Sequence, residues 1–249
     1  MIDLLVVGAH PDDETLIAGG LLARCAAAGV TTGVLCLTRG ELGQPADPTV
    51  LGGRALPEVR AQELRAACQV LGVSWLRCYR RADGELPWAP RGELVTQLAR
   101  VLRKTRPRAV VTFGEDGLYY HHDHVAVGSL TRAAVASLGR AAPELYEAAW
   151  PARASTALVA DLQLLGLPSG LWGIAPEDFG CEETDHTLAV DVRAFATVKL
   201  AALRCHRSQI GPQHAFGGVP PAVFARHLGW EHFRAPTRGS WLQAVFADV

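Results

Sequence analysis

Residues 2–14 read IDLLVVGAHPDDE. Residues 2–9 are a short apolar run closed by a proline and acidic residues, the pattern of a strand buried on both faces. A helical pattern follows over residues 14–28 and stops at Gly29. A strand that leads straight into a helix is the opening unit of a parallel α/β sheet. A dinucleotide-binding sheet would place a G-x-G-x-x-G turn between the two, and Gly8 followed by Ala-His-Pro-Asp-Asp cannot supply it. The turn instead packs one imidazole and three carboxylates into residues 10–14. Crowded anions repel one another unless a cation neutralises them, and a divalent metal does this well.

The alternation continues outward from this turn. Residues 31–38 read as a second strand, followed by a polar Gly/Pro-rich loop over residues 39–55, long enough to suggest function. Helical patterns at 57–71, 92–103 and 125–138 alternate with strand-like runs at 74–79 and 109–113. A strand at 187–192 and a helix at 195–207 follow. The pattern predicts one domain over residues 1–249, a three-layer α/β sandwich with a mostly parallel central sheet. Ligands in such sheets bind beyond the carboxyl ends of the strands.

Composition narrows the function classes. Lys and Arg number 24 against 25 Asp and Glu, for a net charge of −1, so the basic excess of a nucleic-acid partner is missing. Hydrophobic residues make up 49%, which excludes a disordered chain. No apolar run approaches the roughly 18 residues of a membrane span, and the start shows no signal-peptide pattern. The cysteines Cys25, Cys36, Cys68, Cys78, Cys181 and Cys205 form no C-x-x-C pair and read as buried thiols of a reduced, cytoplasmic protein.

The anomaly is the placement of histidine: three of nine fall within residues 121–124, just after the 109–113 strand. Protonated histidine is disfavoured at a helix start, whereas a metal holding neutral imidazoles removes that objection. His10 and Asp13, and likewise His121 and His124, stand three residues apart, a spacing that lets both members of a pair approach one centre. His10, Asp13 and His124 then form a two-His, one-carboxylate set with an open position, the pattern of catalytic zinc, with iron(II) left open by the same ligand types. Asp12 and His121 stay off the metal, as candidate general base and oxyanion partner, and Asp123 is placed to orient His121.

These residues resemble the LmbE-like, or PIG-L, zinc-dependent N-acetylglucosaminyl deacetylases. The motifs occur in the family's order: A-H-P-D-D-E at residues 9–14; Thr38, Gly40, Glu41 and Gly43; Arg60, Glu63 and Leu64; His121 to His124 preceded by Tyr119; then Lys199, Ala202, His206, Ser208 and Gln209. The resemblance implies a Rossmann-like fold, zinc on His10, Asp13 and His124, and Asp12 as general base. It also implies His121 at the oxyanion with Tyr119 assisting, substrate contacts from Arg60, Glu41 and Gln209, and assembly into homo-oligomeric trimers or hexamers. The implied substrate is a small amino-sugar amide, and the chain's own sequence, which shows no lipid-anchoring or membrane feature, argues against a membrane partner. One departure stands out: His122 occupies a position where the family usually has proline, and a surface role is the expectation for it.

Other features carry less. Asp83-Gly84-Glu85-Leu86 reads equally as a turn or as a substrate contact. Trp88, Trp150, Trp172 and Trp230 are candidate sugar-stacking residues, and residues 166–178 are a candidate rim loop. His206 reads as a site-shaping or plain helix histidine, and Glu182, Glu183 and Asp185 as a solvated acidic run. Two alternatives to an N-acetyl hydrolase are an amidase of amino-sugar thiol conjugates and a metallo-phosphoesterase, the latter usually needing two metals. A silent binding module is disfavoured by the presence of Asp12 and His121.

Overall fold

The computed structural model describes residues 2–180, 187–235 and 241–245. Cys181 and the acidic residues Glu182, Glu183 and Asp185 lie outside the described residues. The strands are β1 (Leu4–Gly8), β2 (Thr32–Thr38), β3 (Trp75–Arg81), β4 (Ala109–Phe113), β5 (Glu144–Ala149), β6 (Thr187–Asp191) and β7 (Trp230–Arg234). The helices are α1 (Asp13–Ala27), α2 (Leu56–Val70), α3 (Arg91–Thr105), α4 (Gly117–Tyr120), α5 (His122–Ala136), α6 (Ala154–Leu164), α7 (Ala196–Leu203), α8 (Ala215–Gly218), α9 (Pro221–Leu228) and α10 (Trp241–Val245). Among the described residues, no helix is long and apolar enough to cross a membrane.

The seven strands of the described residues form one sheet in the order β3-β2-β1-β4-β5-β7-β6. The first five run parallel, and β7 pairs antiparallel with both β5 and β6. β1 and β4 are buried at every position, which is why they read as continuous apolar runs. The chain winds outward from β1 to β3 and then returns to β4 on the other side of β1. With right-handed crossovers, that reversal puts α1 and α2 on one face and α3 and α5 on the other. α7 packs against α1 and α2, and α3 against α5. The crevice of such a sheet opens where the order reverses, at the carboxyl ends of β1 and β4. Both chemistry-bearing turns therefore emerge at one place.

Two local features set the site's walls. α5 lies close on the end of β4 because residue 128 is glycine: a Cβ there would meet the Phe113 carbonyl oxygen at 2.5 Å. α1 is broken at Ala18 (φ −151°, ψ 18°), and its continuation is capped from afar. The Glu231 carboxylate on β7 accepts from Gly20 N and Leu21 N, each at 2.8 Å, and from Lys199 Nζ at 2.7 Å.

The structure departs from the pattern reading in identifiable places. α5 begins at His122 rather than at residue 125, so the histidine window forms its first turn. α7 ends at Leu203 because the next segment turns to place His206 on Glu14 and Ser208 on Glu63, and these buried pairings replace further helical bonds. β5, α6, α9 and β7 were absent from the pattern. β7 (WEHFR) hides because its inward face holds Glu231 beside Phe233, so its alternation does not look apolar.

Candidate metal centre

The turn after β1 is held by its own acid. Asp13 Oδ2 accepts from Ala9 N at 2.7 Å and His10 N at 2.8 Å, which fixes the carboxylate under the turn. Asp12 takes φ 122°, a backbone conformation that favours glycine, and is strained there. Two contacts hold it: its N–H donates to Glu14 Oε2 at 3.0 Å, and its Oδ2 accepts from Arg60 Nη2 at 3.2 Å. Arg60 also donates to the carbonyls of Pro11 at 2.8 Å and Gly40 at 3.0 Å, so it ties the first turn to the loop after β2.

Across the crevice, His121 caps α5 by accepting from Asp123 N at its Nδ1, 3.2 Å away. His124 meets the Gly117 carbonyl through Nδ1 at 3.1 Å, and this assigns the hydrogen to Nδ1 and leaves the Nε2 lone pair free. His10 Nε2 faces two carboxylates, Asp83 at 3.0 Å and Asp123 at 3.2 Å, which assigns its hydrogen to Nε2. The two remaining lone pairs face each other: His10 Nδ1 lies 3.2 Å from His124 Nε2. Asp13 closes the group, with Oδ1 3.3 Å from His124 Nε2 and Oδ2 3.9 Å from His10 Nδ1. Two imidazole lone pairs and a carboxylate converging on one point fit a divalent cation, with neighbours already holding each ring in the required tautomer. His121 also stands within reach, since His10, His121 and His124 offer ring nitrogens within 4.8 Å of one another. As a cap, its Nδ1 is an acceptor, so Nε2 carries the hydrogen and the ring presents a donor.

The electrostatics agree. Burial opposes a charged His10, yet Asp123, Asp83 and Asp13 outweigh it and raise its pKa to about 10, so without a metal Nδ1 holds a proton that a bound cation would displace. Burial also acts on Asp13, but His124 and His10 overcome it and hold its carboxyl well below the usual range. Asp12 is pushed up to about 6 by burial, against the pull of Arg60. Burial, then His124 and His10, press His121 down to about 4, so it is neutral at pH 7.

The turns open into a cavity of about 900 Å³ lined by His10, Asp12, Asp13, Arg60, Tyr119, His121, His124 and Gln209. Residues 5–135 match the PIG-L family, described as GlcNAc-PI de-N-acetylase. The chain belongs to the PIG-L family. A 1D-myo-inositol 2-acetamido-2-deoxy-alpha-D-glucopyranoside deacetylase from Mycolicibacterium smegmatis is 35% identical, over 92% of this chain and 88% of that one. A protein of the same name from Acidothermus cellulolyticus is 32% identical, over 92% and 87% of the two chains. Among solved structures, the conserved protein TT1542 from Thermus thermophilus superposes with a TM-score of 0.63 at 29% identity, covering 95% of each chain.

Within this PIG-L chain the expected site residues fare differently. His10, Asp12, Asp13, His121 and His124 come together, and the Tyr119 ring stands edge-on to His124 at 5.3 Å and His121 at 5.8 Å. Asp123 is present but turned: its carboxylate serves His10, Gly84 N and Leu86 N, not His121. Helix geometry explains this, because His121 is the cap and meets only the Asp123 backbone. Glu41 is exposed and outside the cavity lining; it acts on the site at one remove by accepting from Asp83 N at 2.9 Å.

His122 is exposed on the rim, with its ring stacked on His121 at 4.9 Å and Trp88 beyond it at 5.8 Å. Phe113, His124, His121 and His122 thus form a ladder of rings from core to surface. Of the tryptophans, Trp172 lines the cavity together with Gly170, Gly173 and Ile174 of the rim loop. Trp150 lines a separate small cleft, and Trp230 lies under Arg193. His206 is buried on Glu14, 2.9 Å away, outside the cavity lining. The residue that pattern reading undervalued is Asp83. Its signal was position: an Asp-Gly just past the carboxyl end of β3.

Proposed function

We propose that this protein is a metal-dependent hydrolase that removes the N-acetyl group from an N-acetylglucosamine-containing small molecule. The observation that carries this reading is the pair of facing lone pairs on His10 Nδ1 and His124 Nε2, 3.2 Å apart and closed by Asp13. In the proposal, His10, Asp13 and His124 hold the cation, zinc first and iron(II) second by ligand chemistry. When bound, it supplies Lewis acidity, polarising an acyl oxygen and easing loss of a proton from water.

The chain's own residues do the rest. Asp12, beside the ligands and poised near neutrality, takes the proton from the attacking water. His121 presents its Nε2 hydrogen to the oxygen that becomes negative as attack proceeds, and Tyr119 flanks that position. A donor so placed contributes about 2.7–4 kcal/mol. The proton held by Asp12 returns to the departing nitrogen, leaving acetate and a free amine. Arg60 and Gln209 stand at the cavity wall for the sugar. The glycoside named for the curated relatives is the first substrate to test.

The test pairs metal analysis with acetate release from a panel of N-acetylglucosamine glycosides. One metal per chain and acetate from at least one glycoside are expected. Asp12→Asn should keep the metal and lose about 10²–10⁴-fold in turnover. Two tightly bound metals per chain, with phosphate ester cleavage and no acetate release, would replace this reading with a phosphoesterase.

A further inference from the structure

β2 and β3 run parallel at one edge of the sheet, and their register sets Cys36 beside Cys78. Partners on adjacent strands project to the same face with Cα atoms about 5 Å apart, inside the ~4.4–6.8 Å span a disulfide bridges. Both thiols donate to one acceptor, the Thr38 carbonyl, from 3.3 Å for Cys36 and 3.2 Å for Cys78. Cys36 is buried, and Cys78, on the edge strand, is half-buried. The Cys36 thiol and the Arg39 and Arg65 guanidinium groups hold the Cys78 thiol below its ordinary range, whereas burial drives Cys36 well above. The Arg39 side chain hydrogen-bonds the Cys78 sulfur, and its Nε is buried without a hydrogen-bond partner among the described residues.

We propose that Cys78 and Cys36 are an oxidant-responsive dithiol that closes a reversible cross-strand disulfide beside the turn carrying His10 and Asp13. The oxidant is a hydroperoxide. The Cys78 thiolate attacks the terminal peroxide oxygen and the O–O bond breaks. The alkoxide takes a proton and leaves as the alcohol (water, for hydrogen peroxide), and Cys78 becomes a sulfenic acid. The Cys36 sulfur then attacks Cys78: the S–S bond forms, the S–OH bond breaks, and the hydroxide leaves as water with the Cys36 proton. Two electrons pass from the thiol pair to the peroxide, and an external dithiol returns them.

The link to the site runs through Ala9. Its carbonyl accepts from Thr38 N at 2.8 Å and Thr38 Oγ1 at 2.9 Å, with Cys36 Sγ at 3.4 Å, while its N–H holds Asp13. Oxidation removes both S–H donors from this strand end.

The test treats the reduced, metal-containing protein with hydrogen peroxide, quenches with N-ethylmaleimide and reads intact mass and a peptide map. The expected product has lost two hydrogens, links the Cys36 and Cys78 peptides, and is restored by dithiothreitol. Cys36→Ser should stop at a dimedone-reactive sulfenic acid on Cys78, and Cys78→Ser should react at least about tenfold more slowly. A map with other thiols oxidised and no 36–78 bridge, or Cys78→Ser reacting at the parent rate, would overturn the proposal. Acetate release should fall about fivefold on oxidation and recover on reduction. Bridge formation with unchanged turnover would overturn the coupling to the turn. Only this last readout rests on the deacetylase reading, so a protein inert towards every glycoside still decides the thiol chemistry by mass.

Discussion

Replacing Asp123 with asparagine tests how His10 is made ready for a cation. The buried carboxylate receives three hydrogens: Gly84 N at 2.8 Å and His10 Nε2 at 3.2 Å on Oδ2, and Leu86 N at 3.1 Å on Oδ1. An amide keeps one accepting oxygen, and its NH2 only donates. If the NH2 faces Leu86, donor meets donor and a buried backbone N–H loses its partner, at about 1–3 kcal/mol. If it faces His10 and Gly84, the Gly84 N–H is stranded instead. His10 Nε2 then meets a donor on one side and the Asp83 carboxylate at 3.0 Å on the other, so its hydrogen rests on Asp83 alone and the ring is held less firmly. Both placements degrade the centre, and loss of such an outer partner typically costs about 10–100-fold in metal affinity, or ~1.4–2.7 kcal/mol. Chelator competition with zinc measures the affinity, and ¹⁵N NMR of the imidazoles reads which His10 nitrogen is protonated. A variant that binds zinc as tightly as the parent would refute the reasoning.

Two further outcomes follow from other buried groups. His214 caps α8 by accepting from Phe216 N at 3.1 Å, and burial pushes its pKa down from 6.5 to about 4. Between those pH values the unfolded chain takes up a proton that folded His214 refuses, so stability falls as pH falls through the window, by up to about 3 kcal/mol. Urea midpoints across the window should show this slope, and it should flatten in His214→Asn, which keeps a capping oxygen. Lys199→Ala leaves Glu231 buried with its charge unpaired and should destabilise by about 3–5 kcal/mol in chemical denaturation. A loss below about 1 kcal/mol would mean that Gly20 N and Leu21 N suffice to hold the carboxylate.

How far the sequence alone reaches can be judged residue by residue. His10 with Asp13 and His121 with His124 were legible as converging pairs because three-residue spacing at a helix start has few geometric outcomes. The parallel part of the sheet was legible because strands buried on both faces carry no polar interruption. Asp83 was ambiguous because an Asp-Gly pair builds a turn and serves a site with the same two residues. Asp123 was assigned to the wrong neighbour because adjacency in sequence pointed to His121, while the first turn of α5 aims its carboxylate across to β3's loop. Glu231 concealed β7, since a carboxylate facing inward makes sense only beside Lys199 and the break in α1, both distant in sequence.

The backbone at Asp12 has a consequence for how this protein would evolve under heat. Its φ of 122° is one that glycine adopts freely and aspartate resists, at about 1–3 kcal/mol. Asp12→Gly would relax that strain but leave the buried Arg60 guanidinium, 3.2 Å from Asp12, without its carboxylate at a cost of about 3–5 kcal/mol, so its melting temperature should fall. The ion pair thus pins the aspartate in a backbone shape that it resists, and stability and the proposed base role favour the same residue. A library sorted only for survival at high temperature should lose the aspartate only together with a change at Arg60, whereas one sorted for product should keep both and place its stabilising changes elsewhere.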